Sequence, residues 1–254
     1  MIRFDGVSKT FKPNSEFPIK AIQTLSFEIP KGQYLILMGS NGSGKSTLLN
    51  LISGEILPDE GLIFFENQPV QKKSENERAR WISHIFQNPL SGTASELSIL
   101  DNFRLASLRT QSKGLRFGIT EKFKKKVQEK VSLLNLGLEN KLTQSMGSLS
   151  GGQRQALTLV MAIMDEPKIL LMDEPTAALD IKSAGIVLNM AEKIIREYGL
   201  TAIMITHNLK EGIRYGDRII QIRDGKIQRD LLKKEYPNLE IQDLYNWMEV
   251  DQSN

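Results

Sequence analysis

The chain opens with two stretches that read as strands, Ile2–Phe11 and Ile19–Ile29, separated by the breakers Pro13, Asn14 and Pro18. Short apolar patches with turn residues between them predict a β meander rather than a helix. A Lys31-Gly32 turn then leads into the continuous apolar run Tyr34–Met38, a glycine-rich segment, and a helical pattern over residues 46–52. A short run with no polar face suits a strand covered on both sides, so the order expected here is strand, loop, helix.

From about residue 91 to 164 the pattern turns polar and helical, most clearly over 101–108 and 121–136, before strand character returns at 169–172. Helix over 183–198, strand at Thr201–Ile205, a short helix ending at Tyr215, strand over 218–222 and a hairpin turn at Gly225 complete the chain. Such alternation implies an α/β fold with a mainly parallel sheet. The expectation is a single domain over 1–254. It carries an N-terminal antiparallel β subdomain, a helical subdomain inserted at about 91–164 and a short helical tail at about 231–250. Residues 251–254 look like a frayed end.

Composition narrows the chemistry. With 33 Lys plus Arg against 30 Asp plus Glu, the net charge of +3 is too small to call for nucleic acid as a partner, and none is expected. There is no cysteine, so thiol nucleophiles, disulfides and Cys-ligated metals are excluded, and any metal must take oxygen ligands. The N-terminus lacks the pattern of a secretory signal, and no apolar run is long enough to span a bilayer. The expectation is a soluble chain whose membrane role, if any, needs separate spanning partners.

Residues 39–47 read GSNGSGKST, a full match to the phosphate-binding loop pattern, in the strand-loop-helix context that the pattern requires. Gly39, Gly42 and Gly44 let the backbone curl its N–H groups, with those of Ser40, Asn41 and Ser43, around phosphate oxygens. Lys45 supplies an ammonium to the β- and γ-phosphates, the Ser46 hydroxyl is a hard ligand for Mg²⁺, and Thr47 adds a phosphate hydrogen bond. The fold class sharpens to a P-loop NTPase core, and by itself the loop says only nucleoside triphosphate, with Mg²⁺ as its metal.

Two further segments carry chemistry. The apolar run 169–172 ends in Asp173 and Glu174, where open α/β sheets place their ligands; Asp173 suits Mg²⁺, and Glu174 suits the attacking water. Residues 149–153 read LSGGQ ahead of an apolar helical pattern, so Ser150, Gly151, Gly152 and Gln153 form a second helix N-terminus able to face an anion. Taken alone, such a string is more often a glycine turn with a helix cap.

The loop GSNGSGKST, Gln87 in IFQNP, LSGGQ, ILLMDEP, AALD ending in Asp180, and His207 in ITHN stand in the order of ABC ATPase domains, which this chain resembles from Phe11 to about Gly225. The resemblance implies that Ser150 and Gly152 of one protomer close on the γ-phosphate held by the P-loop of another in a head-to-tail homodimer, or in a dimer with a related ATPase subunit. It implies that Gln87 reaches Mg²⁺ and water, that His207 holds the γ-phosphate, and that the Asp180 segment touches the partner's site. Phe11 stands where the family stacks an aromatic ring on adenine, and a phenyl ring stacks as well as a phenol. Ile181 departs from the Pro often found there, which puts loop rigidity in question. His84, within ISHIF, is expected to be structural only.

By the same resemblance the chain powers solute uptake as a peripheral subunit on the cytoplasmic face of the membrane. It would work with permease subunits and an extracytoplasmic solute-binding protein, and the segment NPLSGTASELSILDNF is similar to a bacterial subgroup for tryptophan or tyrosine. A single-domain ABC ATPase of an assembly or regulatory complex is the alternative. Arg104, Arg109, Lys113, Arg116, Lys122, Lys124, Lys125, Lys126 and Lys130 form a basic stretch that either faces anionic headgroups or an acidic partner loop, or is a solvated helix face.

Overall fold

The computed structural model describes residues 1–12, 17–88, 91–109 and 118–238. In chain order its elements are β1 (Ile2–Phe11), β2 (Ile19–Ile29), β3 (Tyr34–Met38), α1 (Lys45–Ser53), β4 (Glu60–Phe65), β5 (Gln68–Pro69), α2 (Glu75–Arg78) and β6 (Ile82–Ile85). There follow α3 (Ile99–Ser107), α4 (Glu121–Ser132), α5 (Gly151–Ala162), β7 (Ile169–Asp173), α6 (Ile181–Glu197), β8 (Thr201–Ile205), α7 (Leu209–Tyr215), β9 (Arg218–Arg223) and β10 (Lys226–Leu232). They form two compact units, one of residues 1–78 with 199–254 and the other of residues 79–198.

The first unit holds an antiparallel sheet in which β1 lies between β2 and β4, with β5 beyond β4. It also holds β3, paired in parallel with β8 on one side and β9 on the other, while β10 returns antiparallel to β9. Every residue of β3 and β8 is buried, as their unbroken apolar sequences predict. Helix α1 buries Leu48, Leu49, Leu51 and Ile52 and stops at Gly54, whose φ of +87° favours glycine.

Beyond that stop sits Arg78, fully buried, with no carboxylate bonded to it among the described residues. Its guanidinium donates to the carbonyls of Leu51 (2.8 Å), Ile52 (3.1 Å), Val70 (2.7 Å) and Lys73 (3.1 Å). A cation at a helix C-terminus answers the last carbonyls and the negative dipole end, so Arg78 anchors the far end of the phosphate-loop helix.

In the second unit β6 and β7 pair in parallel, with His84 opposite Leu171. Ile99, Phe103, Val127, Val131, Leu157, Val160 and Val187 bring α3, α4, α5 and α6 into one apolar cluster. Helix starts fall earlier than periodicity alone suggests because side chains cap them. Ser98 accepts from Asp101 N at the start of α3, and Asp180 accepts from Ser183 N at the start of α6.

The C-terminal expectation needs correction at its start. Residues 231 and 232 finish strand β10, where Leu231 pairs with Ile219 and Leu232 with Arg218, and a 3₁₀ helix follows at Lys233–Asn238. Ladder pairing to β9 outweighs the local helical propensity there. The rest of the expected tail, 239–250, lies outside the described residues, as do 251–254. Among the described residues no helix is long and apolar enough to cross a membrane.

Candidate nucleotide-binding site

In the first unit the loop after β3 is shaped by contacts that leave no room for side chains. A Cβ on Gly39 (φ +144°) would lie 2.1 Å from the Ile222 carbonyl oxygen, and one on Gly44 (φ +107°) 2.3 Å from that of Ala21. Gly225, in the β9–β10 turn, donates its N–H to Ser43 O at 3.0 Å. Gly44 is the left-handed N-cap of α1 and supplies no side-chain cap, and the first intrahelical bond runs from Leu48 N to Gly44 O at 2.9 Å. Residues 45–47 form the first turn of α1, ahead of the intrahelical ladder, which is where a helix grips an anion.

Lys45 is buried and donates to Gly39 O (2.8 Å) and Ser40 O (2.7 Å). Among the described residues, the buried Ser43 Oγ has no hydrogen-bond partner, and Asn41, Gly42 and Ser46 are exposed. A buried Ser43 hydroxyl, a lysine bound to its own loop and the N-terminal turn of a helix fit a triphosphate. The exposed Ser46 hydroxyl at the second residue of α1 fits Mg²⁺, which prefers hard oxygen donors and takes most of its shell from phosphate and water.

His207 follows β8 and is half-buried. Its flanks are fixed: Thr206 Oγ1 donates to Glu211 Oε2 (2.8 Å), and Asn208 caps α7 by accepting from Lys210 N (3.1 Å) and Glu211 N (3.4 Å). Phe11 ends β1 with 39% of its surface exposed, so it is no core aromatic. The strand end beneath it is tied by Asp59, which accepts from Lys9 Nζ (2.8 Å) and Thr10 N (2.7 Å). The Lys9 ammonium, then the Thr10 amide, hold the Asp59 carboxyl below the usual carboxylate range.

In the second unit β7 delivers Asp173 and Glu174, both half-buried. Glu174 sits in the left-handed region at φ +44°, a conformation that costs a non-glycine residue on the order of 1–3 kcal/mol. Gln87 Nε2 lies 3.5 Å from Glu174 Oε2, a long contact that brings amide and carboxylate together. Strain of this kind, at a carboxylate with an amide beside it, makes Glu174 a candidate functional residue.

Also in this unit, Ser150 and Gln153 form a reciprocal capping box on α5: Ser150 Oγ accepts from Gln153 N (3.3 Å) and Gln153 Oε1 accepts from Ser150 N (3.1 Å). The cap leaves the N–H groups of Gly151 and Gly152 outside the intrahelical ladder. Gly152 has a second reason to be glycine, since a Cβ there would stand 2.8 Å from Ser183 Cβ. Asp180 caps α6, and its bond to Ser183 keeps its carboxyl below the ordinary value.

Comparison with known proteins decides what these parts belong to. The family model for the ABC transporter matches residues 22–177. The chain belongs to the ABC transporter family. It is 36% identical over 247 residues to the tyrosine transport ATP-binding protein of Clostridioides difficile, covering 96% of this chain and 97% of that one. Among solved structures it resembles the dimeric, post-hydrolysis ATP-binding cassette MJ0796 bound to ADP and phosphate, with a TM-score of 0.78, 29% identity, and coverage of 92% of this chain and 99% of that one. The ADP conformation of the cassette MJ1267 matches with a TM-score of 0.82 and 27% identity over 100% of this chain and 98% of that one.

As an ABC cassette, this chain is the ATP-binding subunit of a transporter and hydrolyses ATP. Two side chains of the cassette that the motif reading passed over prove to be built into it. Arg154 donates to the carbonyls of Met146 (3.4 Å), Gly147 (3.2 Å) and Leu149 (3.3 Å), fixing the approach to α5. Gln155 is fully buried and donates to Pro175 O at 2.8 Å. A polar residue on the stripe that continues with Leu159 was the available signal.

The remaining candidates divide. The His84 ring lies tilted beside that of Phe86 (centroids 4.3 Å apart), and burial lowers its pKa to about 4, so it remains a neutral, half-buried residue. The basic stretch is partly spent inside its own unit: Arg109 donates to Ile82 O (3.3 Å), Lys126 to Met164 O (3.1 Å) and Lys130 to the Tyr198 hydroxyl (2.7 Å). Lys122 and Lys125 stay exposed, while Lys113 and Arg116 lie outside the described residues.

Proposed function

We propose that this cassette powers uptake of an aromatic amino acid through separate membrane permease subunits supplied by an extracytoplasmic solute-binding protein, acting at the cytoplasmic face of the membrane. The observation that carries the substrate is the end-to-end likeness to the Clostridioides difficile tyrosine transport protein. In this reading the N–H groups of residues 45–47 and the Lys45 ammonium hold the phosphates, and Phe11 stacks on the adenine. Ser46, Gln87 and Asp173 hold Mg²⁺, whose charge offsets that of the phosphates. Glu174 accepts the proton of the attacking water, with the Gln87 amide orienting it and His207 holding the γ-phosphate.

Ser150 and Gly152 of a second copy close on that γ-phosphate, because a further helix N-terminus helps only from the opposite side. The dimer of MJ0796 supports this arrangement. Glu174→Gln keeps the shape and removes the basicity, so ATP should still bind and hold two chains together while turnover falls about a hundredfold or more. Introduced in the cell of origin, the same substitution should stop uptake of labelled tyrosine. Unchanged uptake would reject the transport reading, and unchanged hydrolysis the role of Glu174.

A further inference from the structure

Gln155 occupies a costly position. Its Nε2 donates to Pro175 O, yet its Oε1 is equally buried and accepts no hydrogen bond among the described residues. The crevice around it is lined by Ile85, Leu159, Met172, Pro175 and Val187 and is too narrow to admit water. A buried amide left half-answered destabilises a fold, and an apolar side chain of equal length would fill the space better. What the amide provides is a fixed link, strengthened by its apolar surroundings.

Both ends of that link matter. Pro175 follows Glu174, whose left-handed backbone is closed by a bond from Ala177 N to Glu174 O at 3.1 Å. Gln155 lies on α5 just behind Ser150 and Gly152. The same helix end presses on the segment after Glu174, with Gly152 against Ser183 and Gly151 against Leu179. A shift of α5 along its axis therefore acts on the turn that aims the carboxylate.

We infer that Gln155 is a positioning residue that couples the signature end of α5 to Glu174 within one chain. This rests on the head-to-tail dimer proposed above. In that dimer Ser150 and Gly152 serve the nucleotide held by the partner, whereas Glu174 serves the nucleotide held by its own P-loop. The link thus makes hydrolysis at one ATP depend on the presence of the other, a coupling free energy between two sites carried by a named contact.

The test is the ATP dependence of steady-state hydrolysis by the full chain. Gln155→Met should keep or raise the melting temperature and leave the Kd for ATP unchanged. It should lower kcat about tenfold through misplacement of Glu174, and bring the Hill coefficient for ATP from above one down to one. A folded Gln155→Met with wild-type kcat and cooperativity overturns the inference. Gln155→Glu supplies an independent reading should the Met variant not fold. Its carboxyl donates to Pro175 O only when protonated, and burial raises its pKa, so activity should fall with rising pH where the wild type holds steady. A wild-type pH profile in that variant equally overturns the link. ATP-driven dimerisation of Glu174→Gln, followed by sedimentation, separates the layers. Its absence defeats the dimer itself, whereas a dimer that forms beside an unaffected Gln155→Met defeats only the coupling.

Discussion

The two helix N-termini proposed to face phosphate are built on opposite plans. Helix α1 starts from a left-handed glycine and has no side-chain cap. Helix α5 starts from Ser150 and satisfies part of its own first turn through Gln153. An uncapped end binds anions strongly but must be held in shape by its surroundings, here the carbonyls of Ile222 and Ala21 pressed against Gly39 and Gly44. A self-capped end keeps its shape without a ligand and offers fewer donors. The first plan suits an end that keeps its nucleotide through a cycle, the second an end that meets and leaves it.

Substitutions that exchange the two plans should have graded effects. The largest belongs to Gly39→Ala, because Cβ would collide with rigid backbone at a φ that alanine avoids. A loss of about 3 kcal/mol or more is expected, read by denaturant unfolding, whereas Gly151→Ala meets only Leu179 Cδ2 at 3.4 Å and should be nearly neutral. Stability equal in both variants would dissolve the contrast. Next, Lys45→Ala should weaken ATP about a hundredfold in a fluorescent-nucleotide titration without changing the capping of α5.

Ser150→Ala removes one half of the capping box and should cost about 1 kcal/mol in thermal unfolding, while ATP affinity of the isolated P-loop site holds and ATP-driven dimerisation weakens. The smallest effect is a gain. Ile181 is 95% exposed at the first residue of α6, and Asp180 before it is already extended (φ −66°, ψ 159°). Proline suits that position, so Ile181→Pro should raise stability by about 0.5 kcal/mol; a drop in melting temperature would show that this N–H is in use.

Much of this was legible in the residues. The strands β1, β2, β3 and β8 fall where apolar patterning and breakers put them, because burial on one or both faces leaves that record in the sequence. The phosphate loop was legible because its glycines answer to backbone geometry. What escaped was long-range. The buried Arg78 is held by carbonyls from Leu51, Ile52, Val70 and Lys73, and nothing in the string ERAR says that those carbonyls converge. Gln155 likewise reads as one more polar residue after LSGGQ until Pro175 is seen above it. The start of the expected tail was misread because pairing with β9 is a tertiary fact.

The resting place of Lys45 has a consequence for turnover. With its ammonium bound to Gly39 O and Ser40 O, the loop itself supplies acceptors that compete for that charge. Nucleotide binding is then an exchange of acceptors rather than the capture of a bare cation, and its free energy is the difference between two sets of good bonds. A loop that can answer its own lysine lets ADP go without stranding a buried charge, so the feature that tempers affinity also frees the cassette for its next cycle.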